Sequence, residues 1–226
     1  PTFGPLKSGY DRFFGNYGGA IDYFTHKPGV GDAVARDLYE GEVPVERVGY
    51  YTQLLADEAT RWIGERSAAK PFFLSLHFTA PHWPWVGPED EEISLGLKDL
   101  FHYDGGNLAT YARMVRSLDK AVGQALDALK AQGLADNTIV VFTSDNGGER
   151  FSKTWPFTGQ KTELLEGGIR VPTLLRWPAR IAPQVSDQVT ATMDWLPTLL
   201  AAAGVAPHAD YPVSYTHLTL PTILLV

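Results

Sequence analysis

Three short stretches of the chain carry side chains able to do chemistry on an anion. The first, Ser144-Asp145-Asn146-Gly147-Gly148, follows an apolar, β-branched run from Ile139 to Thr143. A carboxylate and an amide oxygen stand side by side there, and hard oxygen donors of this kind suit Ca²⁺ or Mg²⁺. The second, Ala80-Pro81-His82-Trp83-Pro84, holds a histidine between prolines, just past the apolar segment Phe72 to Phe78. An imidazole so placed can donate to an anion or protonate a leaving group. The third is Gly159-Gln160-Lys161, with Glu166-Gly167-Gly168-Ile169-Arg170-Val171-Pro172 downstream. Residues 150–180 hold six basic side chains (150, 153, 161, 170, 176, 180) and two acidic ones (163, 166), a local surplus of four positive charges. A positive segment in an acidic chain is suited to handling an anion.

Each stretch also has an ordinary structural reading. Asn-Gly is a favoured turn dipeptide, and two oxygen ligands fall short of the six to eight that Ca²⁺ takes. A loop histidine can serve backbone carbonyls alone. Lys153 and Arg180 read as solvated charges, Arg170 as the partner of Glu166, and His77, inside an apolar segment, as a packed side chain.

The elements that must position these residues follow from hydrophobic spacing. Val48, Tyr51, Leu54, Leu55, Ala59, Trp62 and Ile63 recur at steps of three and four and predict a helix over 46–66. A longer stripe from Leu108 to Leu129 predicts a helix over 108–132, with Asn107 as N-cap and Gly133 as C-cap. Thr190 to Ala203, ended by Gly204, predicts a third. Phe72–Phe78, Ile139–Thr143 and Thr173–Trp177 are short and apolar, as buried strands are. Alternation of helices with such strands predicts an α/β fold, a mainly parallel sheet flanked by helices. In such sheets, sites lie just beyond the carboxyl ends of strands, where Asp145 and His82 both fall. Residues 1–31 are rich in Gly and aromatics, without either period, and read as loop. Residues 79–106 read as a surface excursion whose acidic run, Glu89 to Glu92, is solvated.

Composition narrows the class. The 226 residues are 44% hydrophobic and 20% charged, enough for a packed core. The formal net charge of −7 argues against nucleic acid as a partner. There is no cysteine, so there is no disulfide, thiolate metal site or cysteine nucleophile within these residues. No run of about 18 apolar residues predicts a membrane span.

Taken in order, the motifs resemble the type I sulfatases of the alkaline-phosphatase superfamily over about residues 4–204. The matching features are Gly9-Tyr10-Asp11-Arg12-Phe13-Phe14-Gly15, the segment from Pro71 to His82, and Val140 to Gly148. Gly159-Gln160-Lys161, Glu166 to Pro172, and Met193-Asp194-Trp195-Leu196-Pro197-Thr198-Leu199-Leu200 complete the set. The resemblance implies that Asp145 and Asn146 are metal ligands for Ca²⁺, preferred over Mg²⁺. It implies that His82 and Lys161 contact the sulfate group, with His82 serving the leaving oxygen. It also implies a formylglycine nucleophile made from Cys or Ser in a Cys/Ser-x-Pro-Ser-Arg motif, an early Asp-Asp pair and a Gly-Lys-Trp-His segment. None of these stands in this sequence, and all are expected upstream of Pro1.

The expected activity is sulfate ester hydrolysis on a sulfated small molecule or carbohydrate, in the periplasm or secreted, by a longer parent. The isolated fragment is expected to be inactive. A phosphomonoester, phosphodiester or phosphonate hydrolase of the same superfamily, or a non-catalytic sulfate-binding relative, are the alternatives. Residues 1–212 are expected to form a partial, incomplete catalytic domain. Residues 213–226 carry no Asp, Glu, Lys or Arg and do not match the family, and Ser214 to Thr222 reads as translated read-through. Trp83, Trp85 and Trp155 flank the predicted site and suit either stacking on a substrate ring or loop packing.

Overall fold

Apolar side chains spaced three and four apart build α1 (Tyr51–Gly64) and α3 (Leu108–Ala131), with the short α2 (Glu91–Leu95) between them. The computed structural model describes residues 3–102, 105–206 and 208; the tail 213–226 lies outside them. α1 begins five residues later than the spacing predicts. Gly49, at φ +130°, sets a backbone conformation that no helix continues through. Tyr51, Leu55, Ala56, Ala59 and Ile63 of α1 are buried. α1 packs along α3, and Gln53 Nε2 donates to Gln124 Oε1 across the pair at 3.0 Å. α3 is capped as its sequence predicts: the Asn107 side chain accepts from Thr110 N at 2.9 Å. Gly133 closes its far end at φ +68°, where Leu134 N reaches back to Leu129 O at 2.9 Å.

The chain divides into two compact units, one of residues Pro1–Ala135 and Asp145–Val171, the other of Asp136–Ser144 and Pro172–Val226. In the first unit the loop-rich start is integral to the core. Ile21, Tyr23 and Leu38 pack with Tyr50, Tyr51, Leu55, Ala80, Trp85, Val86 and Met114. Three two-residue strands, β1 (Phe14–Gly15), β2 (Tyr39–Glu40) and β3 (Val43–Pro44), form a small antiparallel sheet, in register Phe14↔Glu40 and Tyr39↔Pro44. Phe72–Phe78, expected as a buried strand, is extended but joins no ladder among the described residues. Phe73 packs against Tyr10 at 5.9 Å and is still 62% exposed, because no paired strand among the described residues covers it.

In the second unit β4 (Val140–Phe142) pairs with β5 (Leu174–Arg176). The α/β class stands, but the pairing corrects the parallel expectation: Val140↔Arg176 and Phe142↔Leu174 run antiparallel. A parallel pair needs a crossover of a dozen or more residues, usually a helix. The only helix between these strands is α4 (Glu166–Ile169), four residues long. The strands are also less covered than expected, with Phe142 and Leu174 exposed. α5 (Trp195–Ala202) ends as predicted at Gly204, at φ +68°. Among the described residues no helix is long and apolar enough to cross a membrane.

Candidate functional site

All four predicted site residues lie in the first unit, on two loops. His82 sits half-buried on the loop that follows the extended segment. Two buried tyrosines hold that loop from beneath. Tyr23 Oη donates to His82 O at 2.8 Å, and Tyr50 Oη donates to Val86 O at 3.0 Å. The two phenol rings stack at 5.0 Å and 15°, and burial raises both phenol pKa values, keeping them as donors. The sequence reading missed these residues. Their signal, Tyr23 in the aromatic Gly-rich start and Tyr50 ahead of α1, has no periodicity.

The imidazole of His82 is fixed as well. Nδ1 lies 2.8 Å from Trp83 O, which can only accept, so Nδ1 carries the hydrogen. Nε2 makes no hydrogen bond among the described residues and is the nitrogen open to a ligand. Burial lowers the pKa of this group first of all. The Trp83 carbonyl opposes the shift, the Lys161 ammonium adds to it, and the Glu149 and Asp145 carboxylates oppose it. Lys161, Asp145 and Glu149 are thus the charged groups whose fields reach His82. Glu149 is a site neighbour that no sequence motif marked.

Lys161 and Asp145 are brought together by glycines. Gly147 N donates to Gly168 O, Lys161 N to Gly148 O and Gly167 N to Thr158 O, each at 2.8 Å. The backbones approach so closely that a Cβ on Gly147 would sit 2.0 Å from Gly167 O, and one on Gly167 2.0 Å from Gly159 O. Only glycine permits that approach. The segment 145–148 and the segment 158–168 are thereby one tied unit, with Asp145 exposed and Lys161 half-buried. Asn146 N donates to Asp145 Oδ1 at 3.0 Å, and Asn146 Nδ2 to Gly147 O at 2.9 Å.

The neighbouring expectations divide. Arg170 pairs with Glu166 at 3.4 Å and lies over Phe157, as expected. His77, expected to be packed, is exposed, since the segment carrying it pairs with no strand among the described residues; its Nε2 lies 2.7 Å from Ser75 Oγ. Trp85 is core, 3% exposed, whereas Trp155 is 86% exposed. The acidic run is not wholly solvated. Asp90 accepts from Arg113 at 2.6 Å and from Gly87 N at 2.8 Å.

The chain thus sets a carboxylate–amide pair and a lysine on glycine-tied segments, and an oriented imidazole on a second loop held by tyrosines, groups suited to an anionic ligand. The sulfatase family model matches residues 2–205, and the chain belongs to the sulfatase family. Human N-acetylgalactosamine-6-sulfatase is 34% identical over 239 residues, covering 99% of this chain and 44% of that protein. Mouse arylsulfatase J is 32% identical over 212 residues, covering 88% of this chain and 34% of its own length. A crystal structure of Ps i-CgsB shares 31% identity at a TM-score of 0.74, covering 92% of this chain and 49% of that one. The same protein in complex with k-i-k-neocarrahexaose matches at 29% and 0.72. The chain spans less than half the length of these relatives.

Proposed function

We propose that the full-length protein hydrolyses sulfate esters, with a sulfated carbohydrate as substrate. The observation that carries this reading is the glycine-tied pairing of the Asp145-Asn146 segment with the Lys161 segment, beside a His82 ring oriented through Trp83 O, in a member of the sulfatase family. The carbohydrate class is supported by the similarity to N-acetylgalactosamine-6-sulfatase and to Ps i-CgsB.

In this reading the Lys161 ammonium pairs with a sulfate oxygen. His82, held by Trp83 O through Nδ1, presents Nε2–H to the bridging oxygen and gives it a proton as the ester bond breaks. Asp145 and Asn146 fit a hard cation, Ca²⁺ in preference to Mg²⁺: both offer oxygen, and the Asp145 carboxylate is exposed. Among the described residues no group of three or more His, Cys, Asp or Glu joins them, so in this reading the remaining ligands come from outside those residues. The cation would supply positive charge at a sulfate oxygen. The nucleophile, a formylglycine in this reading, would be supplied upstream, because the chain contains no cysteine and no Ser-x-Pro-Ser-Arg. Without it the isolated chain turns over nothing measurable, since loss of a nucleophile costs about 10⁶-fold.

The test is sulfate release by the full-length protein. His82→Ala should lower kcat by about 10²–10⁴-fold, the usual worth of a general acid. Lys161→Ala should lower kcat/KM, and Asp145→Ala should weaken Ca²⁺ binding measured by calorimetry. Wild-type rates in all three variants would refute the assignment.

A further inference from the structure

The loop after Asp145-Asn146 is pinned on both sides of one uncovered ring. On one side, Phe151 packs edge-on against Trp85 at 5.0 Å, and Ser152 is tied to Glu149 O through both its N (2.8 Å) and its Oγ (2.7 Å). On the other, Phe157 N donates to Thr154 O at 2.9 Å, and the Arg170 guanidinium covers the Phe157 ring at 4.4 Å. Between these anchors stands Trp155, 86% exposed. Its flanking aromatics are packed and it is not, although it is the largest apolar side chain on the loop. Leaving an indole in water forgoes the stabilisation that its burial would give.

The loop packs onto the loop that carries His82 and joins the two glycine-tied segments that carry Asp145 and Lys161. Phe151 reaches Trp85, three residues after His82. Thr154 and Ser152 crowd against Gly148, whose carbonyl receives Lys161 N. Trp155 thus stands on the connection between Asp145-Asn146 and Lys161, the two tied segments of the site, and its ring is left uncovered there. Sugar rings present an apolar C–H face that stacks on indole, and a fixed ring loses little entropy in binding one.

We propose that Trp155 is a specificity-determining residue that stacks on a pyranose ring of the sulfated substrate. The inference rests on the sulfatase reading above and deepens it. Trp155 touches no reacting atom, so it acts on substrate binding and leaves the ester cleavage to the site.

The test compares two substrates on the full-length protein, a sulfated oligosaccharide and a small alkyl sulfate without a ring. Trp155→Ala should raise KM for the oligosaccharide roughly three- to tenfold, the worth of one aromatic contact, at unchanged kcat. Trp155→Phe should recover most of that loss, and both variants should match wild type on the alkyl sulfate. An unchanged oligosaccharide KM overturns the proposal. So does an equal loss on both substrates, or a fall in melting temperature in Trp155→Ala, since either makes Trp155 a packing residue. A wild-type protein that cleaves neither substrate overturns the sulfatase reading instead, and a separate failure of Trp155 leaves that reading standing.

Discussion

Adding one methyl group at Gly147 should disable the site without touching a charged residue. A Cβ there would lie 2.0 Å from Gly167 O and 2.8 Å from the Gly167 and Gly168 carbonyl carbons. Ordinary contact begins near 3.4 Å, so the two backbones must separate by about 1.4 Å, the difference of those distances. No flexible side chain can swing aside, because every one of those atoms is backbone. The separation pulls against the Gly147 N–Gly168 O and Lys161 N–Gly148 O hydrogen bonds, both 2.8 Å. Overpacking costs about 1–3 kcal/mol, and a strained or lost hydrogen bond about 1 kcal/mol more. Gly147→Ala should therefore lose about 2–4 kcal/mol, a fall of about 5–15 °C in Tm for a domain of this size. Displacing Lys161 from Asp145 by about 1 Å should cost roughly 10²-fold in turnover. Gly123→Ala is the control. It lies within α3 with nothing within 4 Å of its Cβ position, and should gain about 0.5–1 kcal/mol of helix propensity. Thermal melts and sulfate-release rates on the three proteins decide the matter. A Gly147→Ala protein that melts and turns over like wild type would refute the reasoning.

Two further outcomes are expected. Asn107→Ala removes the side-chain oxygen that accepts Thr110 N at 2.9 Å and should cost about 1 kcal/mol in urea denaturation, while Asn107→Asp should stay near wild type; equal midpoints for Ala and wild type would dismiss the cap. His26 is fully buried, with Nε2 on Gly49 O at 3.1 Å, and burial lowers its pKa below the ordinary 6.5. The unfolded chain then binds the proton more tightly, so stability should fall as pH drops through 6.5 toward the folded-state value. Urea midpoints of wild type and His26→Gln at pH 7.5 and 5 test this, and a wild type no more acid-sensitive than the variant refutes it.

The helices were legible because their signals are local. The apolar stripe of α3, Asn107 at its start and Gly133 at its end are all contiguous sequence, and each fixes a boundary by its own hydrogen bond or dihedral. At α5 only the end was so marked, by Gly204; the helix starts at Trp195, after a 3-10 turn over Thr192–Asp194, later than the predicted Thr190. Strand pairing is not local. Nothing in Val140–Phe142 specifies that Leu174–Arg176 lies antiparallel to it, and nothing in Phe72–Phe78 reveals whether a partner strand adjoins it. The aromatic start was unreadable for a related reason. Tyr23 earns its burial by contacts with Tyr50 and the His82 loop, which are 27 and 59 positions away.

The site divides along the same line. The chemistry each candidate residue could do was legible, because carboxylate, amide, imidazole and ammonium carry it wherever they stand. The balance at His82 was not, since it depends on distances the sequence does not hold. Burial and Lys161 favour the neutral ring, while Trp83 O, Glu149 and Asp145 favour the cation, and the net shift is downward. A neutral imidazole holds its one hydrogen on Nδ1 and has none at Nε2 to donate. An anionic sulfate near Lys161 changes that balance in a definite direction. It offsets the ammonium's repulsion and adds its own attraction for a protonated ring, while the burial term stays as it was. In the proposed reading, binding of the ester thus favours the protonated form that donates to its leaving oxygen.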